Sequence, residues 1–127
     1  MSDVIYFAVI FLTGSIGYGA LEILWRGYTH PSMIAAGGIC FTLLHIMNTK
    51  SDFTPMQKVI AGAAVITAVE FVFGCVFNVV LGLGVWDYSD RPFNLYGQIC
   101  AEFTAIWALI AYLSSYVSEF IESRMKK

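Results

Sequence analysis

Ionisable side chains inside long apolar stretches are the first candidates for functional residues in this chain. Glu22 lies four residues before Arg26 at the end of the first apolar stretch, and Glu70 lies in the middle of the third. A charge at the centre of a bilayer costs about 3 kcal/mol, so such residues usually face a polar interior and serve ligands, ions or helix contacts. Glu22 and Arg26 can neutralise each other along one helix face. Glu70 has no basic residue three or four positions away, so it needs a proton, water or a partner from another helix.

Helical spacing places further polar residues on the same faces as these carboxylates. The three polar stripes are Ser15, Tyr18, Glu22 and Arg26; Gly38, Thr42 and His45; and Thr67, Glu70, Gly74 and Asn78. We predict that each stripe points into the protein. By depth, His45 is the best basic partner for Glu70, although a satisfied structural histidine is the commoner role. A structural role is also open for both glutamates.

The segment GVWDYSDRPFNLYGQIC, residues 84–100, is the most distinctive loop of the chain. It is predicted to contribute an aromatic belt at the membrane interface, a hydrogen-bonded turn ahead of Pro92, and an N-cap for the fourth helix. The belt residues are Trp86, Tyr88, Phe93 and Tyr96, the turn residues are Asp87, Ser89, Asp90 and Arg91, and the cap is Asn94. Either a structural lid or an external recognition site fits this composition. Glu102 is placed to face the loop.

Arg26 offers a link between the first helix and this loop. If the first and third loops emerge on one side, its guanidinium can be shared between Glu22 and either Asp87 or Asp90. The alternative is that Arg26 only reaches the interface and meets lipid headgroups.

A ligand site built from these residues contains no recognisable catalytic motif. There is no HExxH and no GxxxxGK[ST], and Cys40, Cys75 and Cys100 are scattered in apolar sequence without CxxC spacing. We therefore expect a protein that is not an enzyme and that has no metal site or cofactor. The candidate ligand-binding residues are Glu22, Arg26, His45, Glu70, Asn78, Trp86, Asp87, Asp90, Arg91, Asn94, Gln98 and Glu102.

Composition indicates which secondary-structure elements carry these residues. The 127 residues are 58% hydrophobic and 13% charged, with a mean hydropathy of +0.72, which indicates an integral membrane protein. A net charge of -2 provides no basic patch for nucleic acid. The prediction is an all-α protein with one transmembrane domain, residues 1–127, and a first span that is retained because no signal-peptide pattern precedes it. Its four spans are about 4–25, 31–48, 59–85 and 96–118.

Positive residues near the span ends predict the orientation. Five of the seven lie on the side shared by the termini and the middle loop, namely Lys50, Lys58, Arg124, Lys126 and Lys127. Arg26 and Arg91 lie on the other side. This bias predicts that both termini are cytoplasmic.

A weak internal repeat predicts two similar helical hairpins. Glu22, Trp25 and GGIC at 37–40 resemble Glu70, Trp86 and GQIC at 97–100. The repeat halves would be residues 1–50 and 51–127, related by an axis along the membrane normal. Chance similarity between apolar segments is the alternative interpretation.

Four segments of the chain resemble the ABC-transporter type IV (CmpB-like) family of small bacterial membrane proteins. They are EILWRGYTHPSM, GGICF, EFVFGCVFN and VWDYSDRPFNLYGQIC, and together they extend over most of the chain. The resemblance implies a multi-pass protein of the inner membrane with a permease role, and it carries over no catalytic residues. The matching positions are Glu22, Trp25, Arg26, Gly27, Gly37, Gly38, Glu70, Gly74, Asn78, Trp86, Asp87, Tyr88, Ser89, Pro92, Asn94, Gly97 and Gln98.

The favoured function is a small transporter or channel component that moves a small solute or ion along a polar face lined by intramembrane carboxylates. A homo-oligomer is expected, because four short helices enclose little space. Since the chain lacks a nucleotide-binding motif, any ATP-driven role needs a separate ATPase. The alternatives are a non-transporting membrane partner or assembly subunit, and a holin-like pore former.

Overall fold

Four long helices account for most of the fold. The structure, a computed structural model, describes residues 3–125. The helices are α1 (Asp3–Arg26), α2 (Pro31–Lys50), α3 (Pro55–Gly74) and α4 (Ala101–Met125). Each is long and apolar enough to cross a membrane when α3 is counted with its extension to Val80. The all-α, four-span prediction is confirmed.

Local sequence explains where the second and third helices begin. Before α2, the imidazole of His30 accepts a hydrogen bond from the backbone N–H of Ser32, and Pro31 occupies the first helical position. Before α3, Thr54 and Gln57 form a reciprocal capping box. Both arrangements satisfy N–H groups that a helix start leaves without partners. The first two helices agree with the predicted spans, 4–25 and 31–48, to within a few residues.

The third and fourth spans were predicted at 59–85 and 96–118. The predicted end of the third span and the predicted start of the fourth are wrong. After Gly74 the chain continues as a π-helical turn, Cys75–Val80, and then leaves the helix. Gly82 and Gly84 have φ values of +65° and +60°, which let the chain reverse direction. The next helix starts only at Ala101, after a two-stranded antiparallel ribbon of β1 (Asn94–Leu95) and β2 (Ile99–Cys100). Residues 81–100 therefore form one folded loop, called here the 81–100 loop.

The helices pack as two antiparallel hairpins. α1 runs along α2 and α3 runs along α4, while α2 contacts both helices of the second hairpin. The first hairpin is close-packed at Gly14, Gly37 and Gly38, where an added Cβ would overlap neighbouring atoms. Small residues at such crossings are how helices approach each other in a membrane, where packing rather than hydrophobicity drives association.

The proposed sequence repeat does not correspond to repeated local structure. The GGIC motif at 37–40 lies in the middle of α2, whereas the GQIC motif at 97–100 lies in the ribbon before α4. Trp25 is 74% exposed at the end of α1, but Trp86 is only 8% exposed inside the 81–100 loop. The helices do pair as two hairpins, but the two sets of motifs occupy different positions in them.

Contacts between distant residues define two ends of the bundle. Arg26 contacts Val85, so the 27–30 loop and the 81–100 loop lie together at what we call the loop end. Lys58 and Glu119 approach to 3.8 Å at the opposite, terminal end. This arrangement agrees with the predicted placement of the first and third loops on one side. Lys126 and Lys127, which contribute to the predicted charge bias, lie outside the described residues.

Candidate functional site

A groove lies between the two hairpins of the bundle. It includes a cavity of about 460 Å³ lined by all four helices, and a second cavity of about 190 Å³ that continues toward the loop end. The exposed lining residues of the larger cavity, Gly17, Leu21, Leu113 and Val117, belong to α1 and α4. The groove therefore opens between these two helices, on a side that faces the bilayer when the helices span it.

Glu70 supplies the carboxylate of the larger cavity. Its Oε1 accepts a hydrogen bond from Trp107 Nε1 at 3.1 Å, and its Oε2 accepts one from the Tyr88 hydroxyl at 3.0 Å. Burial in the 81–100 loop raises the pKa of Tyr88 above its ordinary value, so this hydroxyl stays protonated and available as a donor. Among residues 3–125 no ion pair involves Glu70. Two neutral donors from separate elements thus hold the carboxylate in place.

Glu22 and Arg26 lie at the loop end of the same groove. Glu22 is 8% exposed, and its two oxygens accept from the Tyr18 hydroxyl at 2.7 Å and pair with Arg26 Nε at 2.8 Å. The predicted pair is confirmed. Arg26 Nη1 also reaches the carbonyl oxygen of Val85 at 3.3 Å. One guanidinium therefore connects the end of α1 to the 81–100 loop.

The predicted aspartate partner of Arg26 is wrong. Asp87 accepts a hydrogen bond from the backbone N–H of Ser89 at 2.9 Å, and this bond holds the pKa of the Asp87 carboxyl below its ordinary value. Asp90 is exposed and takes part in no ion pair within the described chain. Because Asp87 is used inside its own turn, Arg26 meets a backbone carbonyl of the loop instead of a carboxylate.

Asn78 joins the π-helical turn to the 81–100 loop. Its Oδ1 accepts from the backbone N–H of Val85 at 2.6 Å, and its Nδ2 donates to Gln98 Oε1 at 2.8 Å. Gln98 is buried, and its backbone carbonyl oxygen accepts a hydrogen bond from Trp86 Nε1 at 2.9 Å. An added Cβ on Gly74 would lie 2.9 Å from Gln98 Cβ, which is not the end of a flexible side chain, so position 74 favours glycine. These contacts explain why the helix ends well before its predicted limit.

Replacing Asn78 with Ala should lower the free energy of unfolding by about 3 kcal/mol, since buried amide groups of Val85 and Gln98 would lose their partners. Asn48→Ala is the matched control, because the Asn48 side-chain oxygen accepts no hydrogen bond within the described chain. Thermal unfolding in detergent measures both variants, and chymotrypsin cleavage at the exposed Phe93 reports the loop separately. Equal losses of stability in the two variants would contradict this role of Asn78.

His45 lies away from the groove carboxylate. Its Nε2 and Nδ1 lie 2.5 Å from the Tyr6 hydroxyl and 2.5 Å from Ser118 Oγ, respectively. These bonds tie α1, α2 and α4 together toward the terminal end, and the imidazole is fully buried there. The prediction that His45 is the partner of Glu70 is wrong, because that carboxylate is bound by Tyr88 and Trp107.

The outer part of the 81–100 loop is held by its own side chains and by Glu102 in the first turn of α4. Arg91 and Glu102 form an exposed ion pair at 3.1 Å, so Glu102 does face the loop. Asn94 donates to the carbonyl oxygens of Ser89 and Arg91 and accepts from the N–H of Gly97, which makes it a loop residue rather than the predicted cap of α4.

The four aromatic residues predicted as an interfacial belt divide into two pairs. Phe93 and Tyr96 are 88% and 78% exposed, as a belt requires. Trp86 is buried, and Tyr88 stacks on Phe103 with ring centroids 4.8 Å apart. The belt interpretation is therefore wrong for Trp86 and Tyr88, which are part of the protein interior.

The α3 stripe points toward α4 and the loop, as predicted. Thr67 Oγ1 lies 3.1 Å from Thr104 Oγ1, Glu70 meets Trp107, and Asn78 meets Gln98. Sequence reasoning missed Trp107, whose indole N–H is a polar group in the middle of an apolar helix and could have indicated an inward position.

The predicted site residues fall into three groups. The groove is lined by Glu22, Arg26, Glu70 and Trp86. Asn78 and Gln98 support it from behind through the loop. His45, Asp87, Asp90, Arg91, Asn94 and Glu102 are not among the residues that line the groove.

Four apolar spans with a lateral, carboxylate-bearing groove define a small multi-pass membrane protein. The family described as "Putative ABC-transporter type IV" matches residues 26–127, and the chain belongs to this family. The match includes Glu70, the 81–100 loop and α4, whereas Glu22 and Trp25 precede it. No curated protein and no solved structure gives a significant match to the chain.

Proposed function

We propose that this protein is the membrane-embedded component of a transport system and that Glu70 binds a small cationic solute or ion on its way across the bilayer. The observation that carries the proposal is a carboxylate that lines a groove, accepts two neutral hydrogen bonds and has no cationic partner within the described chain. A carboxylate with a structural role inside a membrane is usually paired with a cationic side chain. A carboxylate that lines a cavity without such a partner is therefore a candidate for binding a cationic ligand. The family description supports a role in transport.

The same proposal includes the setting of the protein. It is not an enzyme, it resides in the bacterial inner membrane with both termini in the cytoplasm, and the loop end is external. The five-to-two distribution of Lys and Arg supports this orientation. A homo-oligomer is part of the proposal, because four short helices enclose little space. Since the chain contains no GxxxxGK[ST] motif, ATP-driven transport would use a separate ATPase.

Reconstitution of the purified protein in liposomes tests this function. We expect cation uptake driven by an imposed membrane potential, and Glu70→Gln should reduce the initial rate at least tenfold, because the isosteric amide cannot balance a positive charge. The control is Glu102→Gln, which removes an exposed carboxylate that pairs with Arg91 and should leave the rate unchanged.

The other outcomes point to the alternative functions. Absence of flux from folded protein would contradict the proposal and favour an assembly subunit. Release of a large anionic dye at the same rate from wild type and Glu70→Gln would contradict it and favour a holin-like pore.

A further inference from the structure

The chemistry around Glu70 narrows the class of solute. Each Glu70 oxygen accepts one hydrogen bond, from Trp107 and from Tyr88, and a carboxylate oxygen can accept two. The carboxylate is only partly buried and lines the larger cavity. It can therefore still receive a positively charged group from the groove without losing either donor.

Aromatic rings form the walls next to this carboxylate. Tyr18, Trp86 and Trp107 line both cavities of the groove. The Tyr18 and Trp107 rings lie with centroids 6.0 Å apart, so they form a continuous wall from α1 to α4. Faces of Trp and Tyr attract cations, most strongly in a site shielded from water. The rest of the larger cavity is lined mainly by aliphatic and small side chains, such as Leu44, Ile66 and Val69. The Glu22–Arg26 ion pair lines only the smaller cavity, at the loop end.

The size and direction of the groove favour an organic ion over an inorganic one. A volume of about 460 Å³ lies within the range of about 300–1,000 Å³ that holds drug-sized ligands. Because the groove opens between α1 and α4 toward the bilayer, a solute that partitions into lipid can enter it from the side. A hydrated metal ion would have to give up its water against a wall that offers mostly hydrocarbon.

Two other occupants fit the groove less well. A lipid acyl chain would cover Glu70 with hydrocarbon and supply no charge to balance it. A helix from a second copy would need a basic residue at the depth of Glu70, but every Lys and Arg among residues 3–125 lies near a helix end or in a loop.

We infer that the groove between α1 and α4 binds a lipophilic organic monocation, with its charge at Glu70 and its apolar groups against Tyr18, Trp86 and Trp107. The inference rests on the proposed function for the route of the solute, whereas binding can be measured without transport.

Tetraphenylphosphonium is the probe, and tetraphenylborate, of the same shape and opposite charge, is its matched control. Equilibrium dialysis of the full chain in a neutral detergent, corrected with empty micelles, gives the amount bound. We expect saturable binding of the cation and no saturable binding of the anion. Glu70→Gln should weaken cation binding at least tenfold, and Glu102→Gln should not change it.

Gly17→Leu provides a second variant that keeps every charge. An added Cβ at Gly17 meets no atom within 4 Å, and Gly17 lines the larger cavity, so the leucine side chain should fill the groove without disturbing the fold. We expect it to weaken tetraphenylphosphonium binding at least tenfold while the melting temperature stays within a few degrees of wild type. Unchanged binding in this variant, or a shift in oligomeric state without a loss of binding, would overturn the inference.

The outcomes separate this inference from the proposed function. Equal binding of cation and anion, or no binding of either by folded wild type, would overturn the inference. Glu70-dependent flux of small inorganic cations without tetraphenylphosphonium binding would do the same and leave the proposed function standing. Glu70-dependent binding of tetraphenylphosphonium without any flux would support the inference and contradict the proposed function.

Discussion

Replacing Arg26 with Ala should lower the free energy of unfolding by about 3 kcal/mol, because it leaves the carboxylate of Glu22 buried without its partner. The two side chains of this pair are 21% and 9% exposed, so water can compensate little. The same substitution removes the bond to the Val85 carbonyl and detaches the end of α1 from the 81–100 loop.

Arg91→Ala is the control for this prediction. It breaks an Arg–Glu pair at the same end of the protein, but its side chains are 44% and 54% exposed, and such pairs contribute only about 0–1 kcal/mol. Thermal unfolding in detergent should separate the two variants clearly. Similar losses in both would show that burial of the Glu22 pair has no energetic consequence.

Two further variants separate the parts played by Arg26. In a Glu22→Gln background, Arg26→Ala should cost much less than in wild type, because no charge is left unpaired. Arg26→Lys keeps a charge beside Glu22 but loses the planar group that also reaches Val85, so it should destabilise less than Ala and speed chymotrypsin cleavage at Phe93. Additive effects of Glu22→Gln and Arg26→Ala would contradict the coupling.

Gly37→Leu should disrupt the first hairpin, with a loss of about 3 kcal/mol or more of stability and a low yield of folded protein. An added Cβ at this position would lie 2.5 Å from Tyr18 Cβ and 3.1 Å from the Gly14 carbonyl oxygen. Neither atom is the end of a flexible side chain, so the two helices would have to separate. Tyr18 would move with α1 and carry its hydrogen bond to Glu22 away from the groove.

Gly17→Leu controls for the chemical change in this experiment. It introduces the same side chain on α1 where an added Cβ would have no neighbour within 4 Å. Size-exclusion profiles and melting temperatures in detergent should therefore show wild-type behaviour for Gly17→Leu and a loss for Gly37→Leu. A folded and stable Gly37→Leu protein would contradict the close helix contact.

Local patterns predicted the helices and much of the polar interior. Four apolar stretches of bilayer length predict four spans, and the spacing of Thr67, Glu70, Gly74 and Asn78 predicts the inward face of α3. The spacing of Glu22 and Arg26 likewise predicts their pair. These predictions hold because span length and side-chain direction are properties of a single helix.

The long loop was the least predictable part. Residues 81–85 and 96–100 are apolar enough to be assigned to helices, yet in the structure they belong to the 81–100 loop. The helical segment that follows α3 ends near Asn78, whose side-chain oxygen accepts a hydrogen bond from the N–H of Val85. This bond depends on how the chain folds back after Gly82. A hydropathy profile does not show that a side chain competes with the helix backbone for hydrogen bonds.

Apolar stretches and the helical spacing of their polar residues were enough to predict a four-span membrane protein with a carboxylate on the inner face of its third helix. The packing of the bundle placed that carboxylate against Tyr88, 18 positions away in a loop, and Trp107, 37 positions away on α4. It also placed His45 with Tyr6 and Ser118 instead, and Arg26 against a backbone carbonyl rather than an aspartate. Periodicity specifies which face of a helix is polar, but the partner across the interface depends on the rotation and height of the neighbouring helix and on the path of the loop, which arise only when the whole bundle packs.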